Sequence, residues 1–264
     1  MSPNGHRFAP RQVPALDGLP RPLYARRESL PQAMRTPRHA HPWVQLSYAI
    51  AGVLHVYSDA GCFVAPPRRA IWIPAHAEHE VVSAAGTEMR SLYLDTRVCD
   101  WAPERFQVLT IDSLCHELIR RFCALPAEYD ETGADGRLAQ VLLDQLRRAP
   151  AVSLSLPLPA DARLLQLYQQ LQAQPEDSRS LDAWAASLGV SSKTLSRLFL
   201  RETGLSFRLW RQRLRLLSAL EPLARGERVT DVALSCGYES TSAFIAAFGQ
   251  QFGQTPGAFF SAPG

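Results

Sequence analysis

The stretch from Leu181 to Phe260 constrains the chain most, because one structural pattern is written there twice. In the first copy Leu181, Trp184, Ala185 and Leu188 fall at i, i+3, i+4 and i+7, one apolar face of a short helix. Asp182 lies in its first turn, where the helix dipole favours an acid. Gly189 permits a sharp turn between two crossed helices. Ser191 or Ser192 then caps a second helix that runs to about Thr203 and stops at Gly204. Leu195, Leu198 and Phe199 form its buried side. Lys193, the only lysine in the chain, stacks with Arg197 and Arg201 on the other side at a spacing of four. The second copy returns Ala185-Ala186-Ser187-Leu188-Gly189 as Ala233-Leu234-Ser235-Cys236-Gly237. After one extra residue it returns Leu195, Phe199 and Gly204 as Phe244, Phe248 and Gly253. A helical bundle with a solvated arginine face is the plainer reading, but it does not explain the repeat.

Each copy reads as a helix-turn-helix, the motif that lays its second helix in the DNA major groove. Between them Phe207 to Leu223, capped by Ser206, reads as one helix. About 17 residues span about 25 Å, enough to hold two recognition helices near one DNA repeat, about 34 Å, apart. Arg208, Arg211 and Arg215 share one face of it, and Leu209, Leu216, Leu220 and Leu223 supply apolar positions.

The segment resembles the C-terminal domain of the AraC/XylS transcription regulators. The residues that carry the resemblance are Leu188-Gly189-Val190-Ser191 with Leu195-Ser196-Arg197-Leu198-Phe199, then Glu202-Thr203-Gly204, Val232-Ala233 and Cys236-Gly237-Tyr238. Ser242-Ala243-Phe244, Phe248, Phe252-Gly253 and Thr255-Pro256 complete it. The resemblance implies that Lys193, Ser196 and Arg197 touch base edges, with Arg197 suited to a bidentate contact with guanine. It implies a phosphate contact for Arg201 and groove positions for Ser240, Thr241, Ser242 and Ala246. The chain departs from the family in having no Lys or Arg between Ser240 and Phe252. The second unit is therefore expected to release fewer counterions and to leave most of the specificity to the first.

A chain of 264 residues with 46% apolar content has room for two cored domains. Its net charge of +3 would not announce nucleic acid, so the local clustering carries that argument. There is no run of about 18 apolar residues and no apolar signal core, which predicts a cytoplasmic protein without a membrane span. The five cysteines, at 62, 99, 115, 123 and 236, form no CxxC pair and fit free thiols in a reducing compartment.

Residues 1–22, rich in Pro and Arg, are expected to form a disordered tail. From about Leu23 to Asp95 short alternating segments follow: Val44–Tyr48, Val53–Tyr57, Cys62–Val64, Ala70–Ile73, His79–Val82 and Arg90–Leu94. Asp59-Ala60-Gly61 marks a hairpin. This spacing predicts an antiparallel barrel or sandwich. Within it lie His39-Ala40-His41, Gln45 and His79, and on a strand His39 and His41 share a face. The group resembles the metal site of a cupin barrel, although Gln45 stands where the resemblance calls for Glu. Three His and an amide oxygen still make a ligand set for Ni, Zn, Cu or Fe; the alternative is a polar effector pocket without metal. Trp43, Tyr48, Trp72 and His55 are candidates to line that pocket or simply to fill core.

Ile111–Phe122 and Leu138–Leu146 keep a helical period and suggest a homodimer interface, with packing on their own barrel as the alternative. The expected organisation is α+β: a cupin-like sensor and dimerisation domain over residues 23–148, a Pro-rich linker over 149–160, and the double helix-turn-helix domain over 161–264. Asp161 caps the first helix of that last domain. The chain is thus expected to be a DNA-binding regulator and not an enzyme. Its expected partners are double-stranded DNA, a small-molecule or metal effector, RNA polymerase and a second copy of itself. The rival readings are a metal-dependent cupin enzyme with a DNA-binding tail, and a constitutive DNA-binding dimer without effector.

Overall fold

The computed structural model of the chain describes residues 8–13 and 16–260. The strands in chain order are β1 (Ala9–Pro10), β2 (Leu23–Leu30), β3 (Met34–Arg35), β4 (Val44–Ala51), β5 (Leu54–Ser58), β6 (Gly61–Ala65), β7 (Arg69–Ile73), β8 (Glu80–Ser83), β9 (Thr87–Leu94), β10 (Gln107–Thr110), β11 (Ala151–Val152) and β12 (Ser155–Leu156). The helices are α1 (Ser113–Phe122), α2 (Ala134–Arg148), α3 (Ala162–Ala173), α4 (Leu181–Ser187), α5 (Ser192–Thr203), α6 (Phe207–Ser218), α7 (Leu220–Ala224), α8 (Val229–Ser235), α9 (Thr241–Phe252) and α10 (Pro256–Phe260).

The strands form two six-stranded sheets, ordered β1-β3-β8-β5-β6-β12 and β11-β10-β7-β4-β9-β2. Leu54, Val56 and Val81 of the first share one core with Ala49, Ile71 and Met89 of the second. The expected barrel is therefore an open sandwich: its sheets pack face to face without a continuous hydrogen-bonded wall. The second sheet is buried on both faces, because alternate residues Leu46, Tyr48, Ala70, Trp72, Leu92 and Leu94 lie under α1 and α2. That assignment puts Tyr48 and Trp72 on the helix side and removes them from any pocket inside the sandwich. Tyr48 Oη bonds His116 Nδ1 on α1 at 2.6 Å, and Trp72 packs on Trp101. His55 stacks on Tyr57 and faces the helical domain, since Tyr57 Oη accepts from Gln172 Nε2 of α3 at 3.1 Å.

The helices α1 and α2 bury Cys115, Ile119, Phe122, Ala139, Leu142, Leu143 and Leu146 on their own sheet. What remains outward of the expected dimer face is narrower: Leu114 and Val141, 55% and 44% exposed, with Leu118 and Leu138 partly covered.

The repeat returns as geometry. In each copy the glycine of the turn is left-handed, Gly189 at φ 67° and Gly237 at φ 76°. The residue after each turn glycine donates its N–H back into the preceding helix, Val190 to Ala185 O and Tyr238 to Ala233 O, both at 3.0 Å. Ser191 and Ser240 cap the twelve-residue helices α5 and α9, and left-handed Gly204 and Gly253 end them. The connecting helix is not continuous as expected. It breaks at Ala219 into α6 and α7, because Pro222 has no N–H to return to Ser218.

Two further expectations change. Within residues 1–22, positions 1–7 and 14–15 lie outside the described residues, but Ala9–Pro10 pairs with β3 and Arg11 is buried. The segment 149–160 is no free linker: β11 adds to the second sheet and β12 to the first. A chain that crosses between two cores must bond its peptide groups, and strand pairing does so.

The helical domain has an internal tie that its basic pattern did not reveal. Arg215 of α6 donates to Pro175 O (2.8 Å), Asp177 O (3.0 Å) and Gly237 O (3.0 Å), so it joins the end of α3 to the second turn. Arg211 likewise donates to Arg179 O at 2.6 Å. Of the three arginines expected on a basic face, only Arg208 is fully exposed. Arg215→Ala is expected to lower stability by about 2–3 kcal/mol, seen as an earlier urea midpoint at unchanged slope. An unchanged midpoint would mean that water replaces the guanidinium.

Candidate functional site

The first surface of interest is the outward side of α5. Lys193, Ser196, Arg197, Leu200 and Arg201 are exposed there while Leu195, Leu198 and Phe199 are buried, as the period of four requires. Lys193 and Arg197 have no hydrogen-bond or ion-pair partner among the described residues. Arg201 is held by Glu202 at 2.9 Å, so its charge is partly engaged. Glu202 also accepts from the backbone N–H groups of Ala160 (3.0 Å) and Asp161 (2.8 Å), which pulls its carboxyl below the usual range and fastens α5 to the start of α3. On α9 the Ser240 hydroxyl is spent as a cap for Ala243 N–H. Thr241 is half-buried, Ser242 is exposed, and the rest of the outward face, Ile245, Ala246 and Gln250, carries no charge.

The second feature is a cavity of about 210 Å³ at one end of the sandwich. Leu46 and Tyr48 turn to the helix side, so Gln45 and Ser47 turn inward, and Gln45 reaches the cavity with Trp43, Tyr93, His39 and His41. His39 and His79 are direct partners in an isolated antiparallel bridge, with N–H···O distances of 3.0 and 2.9 Å. His41 O accepts from His76 N–H at 2.7 Å, which ties its segment to the loop that leads to His79. The three rings lie with centroids 4.3, 5.1 and 5.9 Å apart, and one nitrogen from each falls within 4.8 Å of the others.

Each Nδ1 faces a backbone carbonyl: His39 to Pro37 (2.9 Å), His41 to Trp43 (2.8 Å) and His79 to Ala77 (2.9 Å). Those contacts place the proton on Nδ1 and leave the Nε2 lone pair for a ligand, the arrangement that orients metal-binding imidazoles. Burial disfavours the charged form of all three and takes His79 down to about 3; the neighbouring rings add to that for His79. His79 is fully buried, and its Nε2 has no partner among the described residues. His41 Nε2 lies 2.8 Å from Gln45 Oε1, while Gln45 Nε2 donates to Ser47 Oγ at 2.9 Å. Two acceptors this close are satisfied by a cation that both ligate, or by turning the amide so that its NH₂ faces His41. The donor set fits a divalent ion, which His39, His41, His79 and Gln45 would hold. Trp43 is the one member of the aromatic set considered above that lines this cavity; its ring stacks on His41 at 5.3 Å and 11°. Arg11 was not foreseen as a lining residue. Its position depends on β1 pairing with β3, which a two-residue strand in a Pro-rich stretch does not announce.

Comparison with known proteins gives consistent matches in both halves. The AraC-like ligand binding domain model matches residues 23–188, and a helix-turn-helix domain model matches residues 184–262. The HTH-type transcriptional regulator NimR of Escherichia coli (strain K12) is 34% identical over 228 residues, covering 86% of this chain and 83% of that protein. The HTH-type transcriptional regulator RipA of Corynebacterium glutamicum is 39% identical over 103 residues, 39% of this chain and 31% of that protein. The crystal structure of unsaturated fatty acid bound ToxT from Vibrio cholerae aligns with 91% of this chain and 94% of that one, at 9% identity and a TM-score of 0.38.

The depressed histidines make stability pH-dependent with a definite sign. Unfolding exposes imidazoles that protonate near 6.5, while the folded state keeps them neutral. The metal-free protein should be fully stable above about pH 6.5 and lose stability as pH falls toward 3. His79 alone contributes a slope of up to about 1.4 kcal/mol per pH unit in that window. Urea titrations of chelator-treated protein at pH 7 and pH 5 should show the drop, and His79→Leu should flatten it. Equal slopes in the two proteins would place His79 in a wetter setting than the structure gives it.

Proposed function

The chain belongs to the AraC family of helix-turn-helix transcriptional regulators, and from that premise we propose which of its residues read DNA and which receive the effector. The observation that carries the proposal is the pairing of two helix-turn-helix turns, built on the same left-handed glycine and the same backbone bond, with a Lys193 and Arg197 unengaged among the described residues on the outward side of α5. Lys193, Ser196 and Arg197 are assigned to base edges, with Arg197 on a guanine. Arg201 is assigned to a phosphate, and Ser240, Thr241 and Ser242 to the second groove. The uncharged face of α9 supports a division of labour in which α5 supplies most of the electrostatic attraction and most of the specificity.

The effector site is assigned to the cavity, with His39, His41, Gln45 and His79 as a seat for a divalent ion such as Ni, Zn, Cu or Fe. The cavity lies one strand from the helical domain. Val81 of β8 is the register partner of Val56 on β5, and the adjacent Tyr57 accepts from Gln172 of α3. An effector that binds two arrangements of this seam unequally shifts the balance between them; equal binding would shift nothing. Leu114 and Val141 support a homodimer through α1 and α2. We place the protein in the cytoplasm, where its DNA lies, with RNA polymerase as a further partner, and we read it as a regulator without catalytic activity. No helix among the described residues is long and apolar enough to cross a membrane.

The test is binding of the purified full-length protein to the promoter region flanking its own gene, with and without Ni²⁺, Zn²⁺, Cu²⁺ and Fe²⁺. Arg197→Ala should weaken binding by about 1–3 kcal/mol and relax preference at one base pair, and Lys193→Ala should reduce the salt slope by about 1. Metal-dependent binding that is lost in His39→Ala/His41→Ala identifies the sandwich as the sensor. An unchanged footprint and affinity in Arg197→Ala would refute the placement of α5.

A further inference from the structure

The cavity and the histidine cluster beside it make two demands on a guest. His39, His41 and Gln45 line the cavity, His79 packs against both rings, and with each Nδ1 turned to a carbonyl the three Nε2 atoms offer electron pairs. Trp43 and Arg11 also line the cavity, each 8% exposed, and each carries a buried donor, Trp43 Nε1 and Arg11 Nε, with no acceptor among the described residues. A buried donor left without an acceptor is costly, so a guest that accepts from it gains accordingly. Among the described residues, no carboxylate lines the cavity.

The charges point the same way. Arg11 pairs with Glu28, but Arg26 shares that carboxylate at 3.4 Å, so the three side chains keep one uncompensated positive charge. A divalent ion on four neutral ligands would bring its full charge into the same pocket. Neither demand is met by a metal alone, and an anion alone would face the histidine lone pairs. A metal with an anionic co-ligand meets both.

We propose that the cavity takes a divalent metal together with a small organic carboxylate, the metal on His39, His41, His79 and Gln45, the carboxylate between the metal and the N–H groups of Arg11 and Trp43. The pair is the effector, and each component binds weakly without the other. The cavity of about 210 Å³ falls below the roughly 300–1,000 Å³ that hold drug-sized ligands, which limits the carboxylate to a small one. This inference rests on the reading of the histidine cluster as a metal seat, and the experiment separates the two.

Chelator-treated full-length protein is titrated with Co²⁺, followed by calorimetry and by the visible Co²⁺ spectrum, alone and in excess formate, acetate or benzoate. These monocarboxylates hold Co²⁺ weakly in solution, so a gain in affinity reports a shared site. At least one of them is expected to lower the Co²⁺ Kd tenfold or more and to change the spectrum. Arg11→Gln should bind Co²⁺ as before without carboxylate and lose that gain. His39→Ala/His41→Ala should lose both ligands. Co²⁺ binding that is identical with and without every carboxylate overturns the proposal and leaves the metal seat intact. Carboxylate binding that persists in the double variant also overturns it, by placing the anion elsewhere. Failure of Co²⁺ to bind the unsubstituted protein at all overturns the metal reading itself and the pair with it.

Discussion

The peptide groups between residues 149 and 160 leave one apolar core and enter another, and in that passage each buried N–H and C=O must find a partner. They find it in the sheets. Pro150 O accepts from Thr110 N–H, β11 extends the second sheet, Val64 N–H bonds Leu154 O, and β12 extends the first. Just beyond, Pro157 O accepts from the Trp210 indole of α6 at 2.8 Å, and Ala160 N–H bonds Glu202 of α5. A segment that composition marks as a hinge is thus the place where the two halves are stitched. One buried cluster runs from Ile71 and Val56 in the sandwich through Leu156 to Leu164, Trp210 and Phe199 in the helical domain.

That stitching ties the recognition helix to the sensor by short connections. Glu202 sits at the end of α5 and fastens the start of α3, and α3 reaches back to Tyr57 on β5. The neighbouring β8 leads directly to His79 and the cavity. Phe259 of α10, under the Arg69 guanidinium at 4.8 Å, makes a second connection from the other end of the helical domain. Hence a change in the cavity and a change in the docking of α3 involve adjacent strands, and no long relay is needed between them.

Much of the helical domain was legible because its signals are local. Gly189, Gly204, Gly237 and Gly253 mark left-handed turns and caps, Ser191, Ser206 and Asp161 mark helix starts, and all seven act where the pattern placed them. The break at Ala219 was also written locally, in Pro222, but the apolar period around it argued for one helix. In the sandwich six of the eight longer strands, β4 to β9, could be read from alternation; β2 and β10 were not, and β1, β3, β11 and β12 are two residues each and exist only because a longer neighbour offers an open edge. The same limit applied to the side chains. Tyr48 and Trp72 look like Trp43 in sequence, and only their register in the second sheet sends them beneath α1 and α2.

By itself the sequence determined the class of each half, the twofold repeat with its turn chemistry, the basic face of α5 and the His39/His41 pair, since each depends on spacing along one element or on a short motif; His79 was added to that pair by the resemblance to a cupin barrel. Tertiary structure decided three things that no local spacing encodes. It spent Arg211 and Arg215 on backbone carbonyls and left Arg197 free, although all three sit on helix faces of similar pattern. It brought Arg11 from the far N-terminus to the cavity that holds the histidines. It turned residues 149–160 from a hinge into two strands. The reason is common to all three: a buried polar group takes whichever partner the packing supplies, and that partner lies far away in sequence.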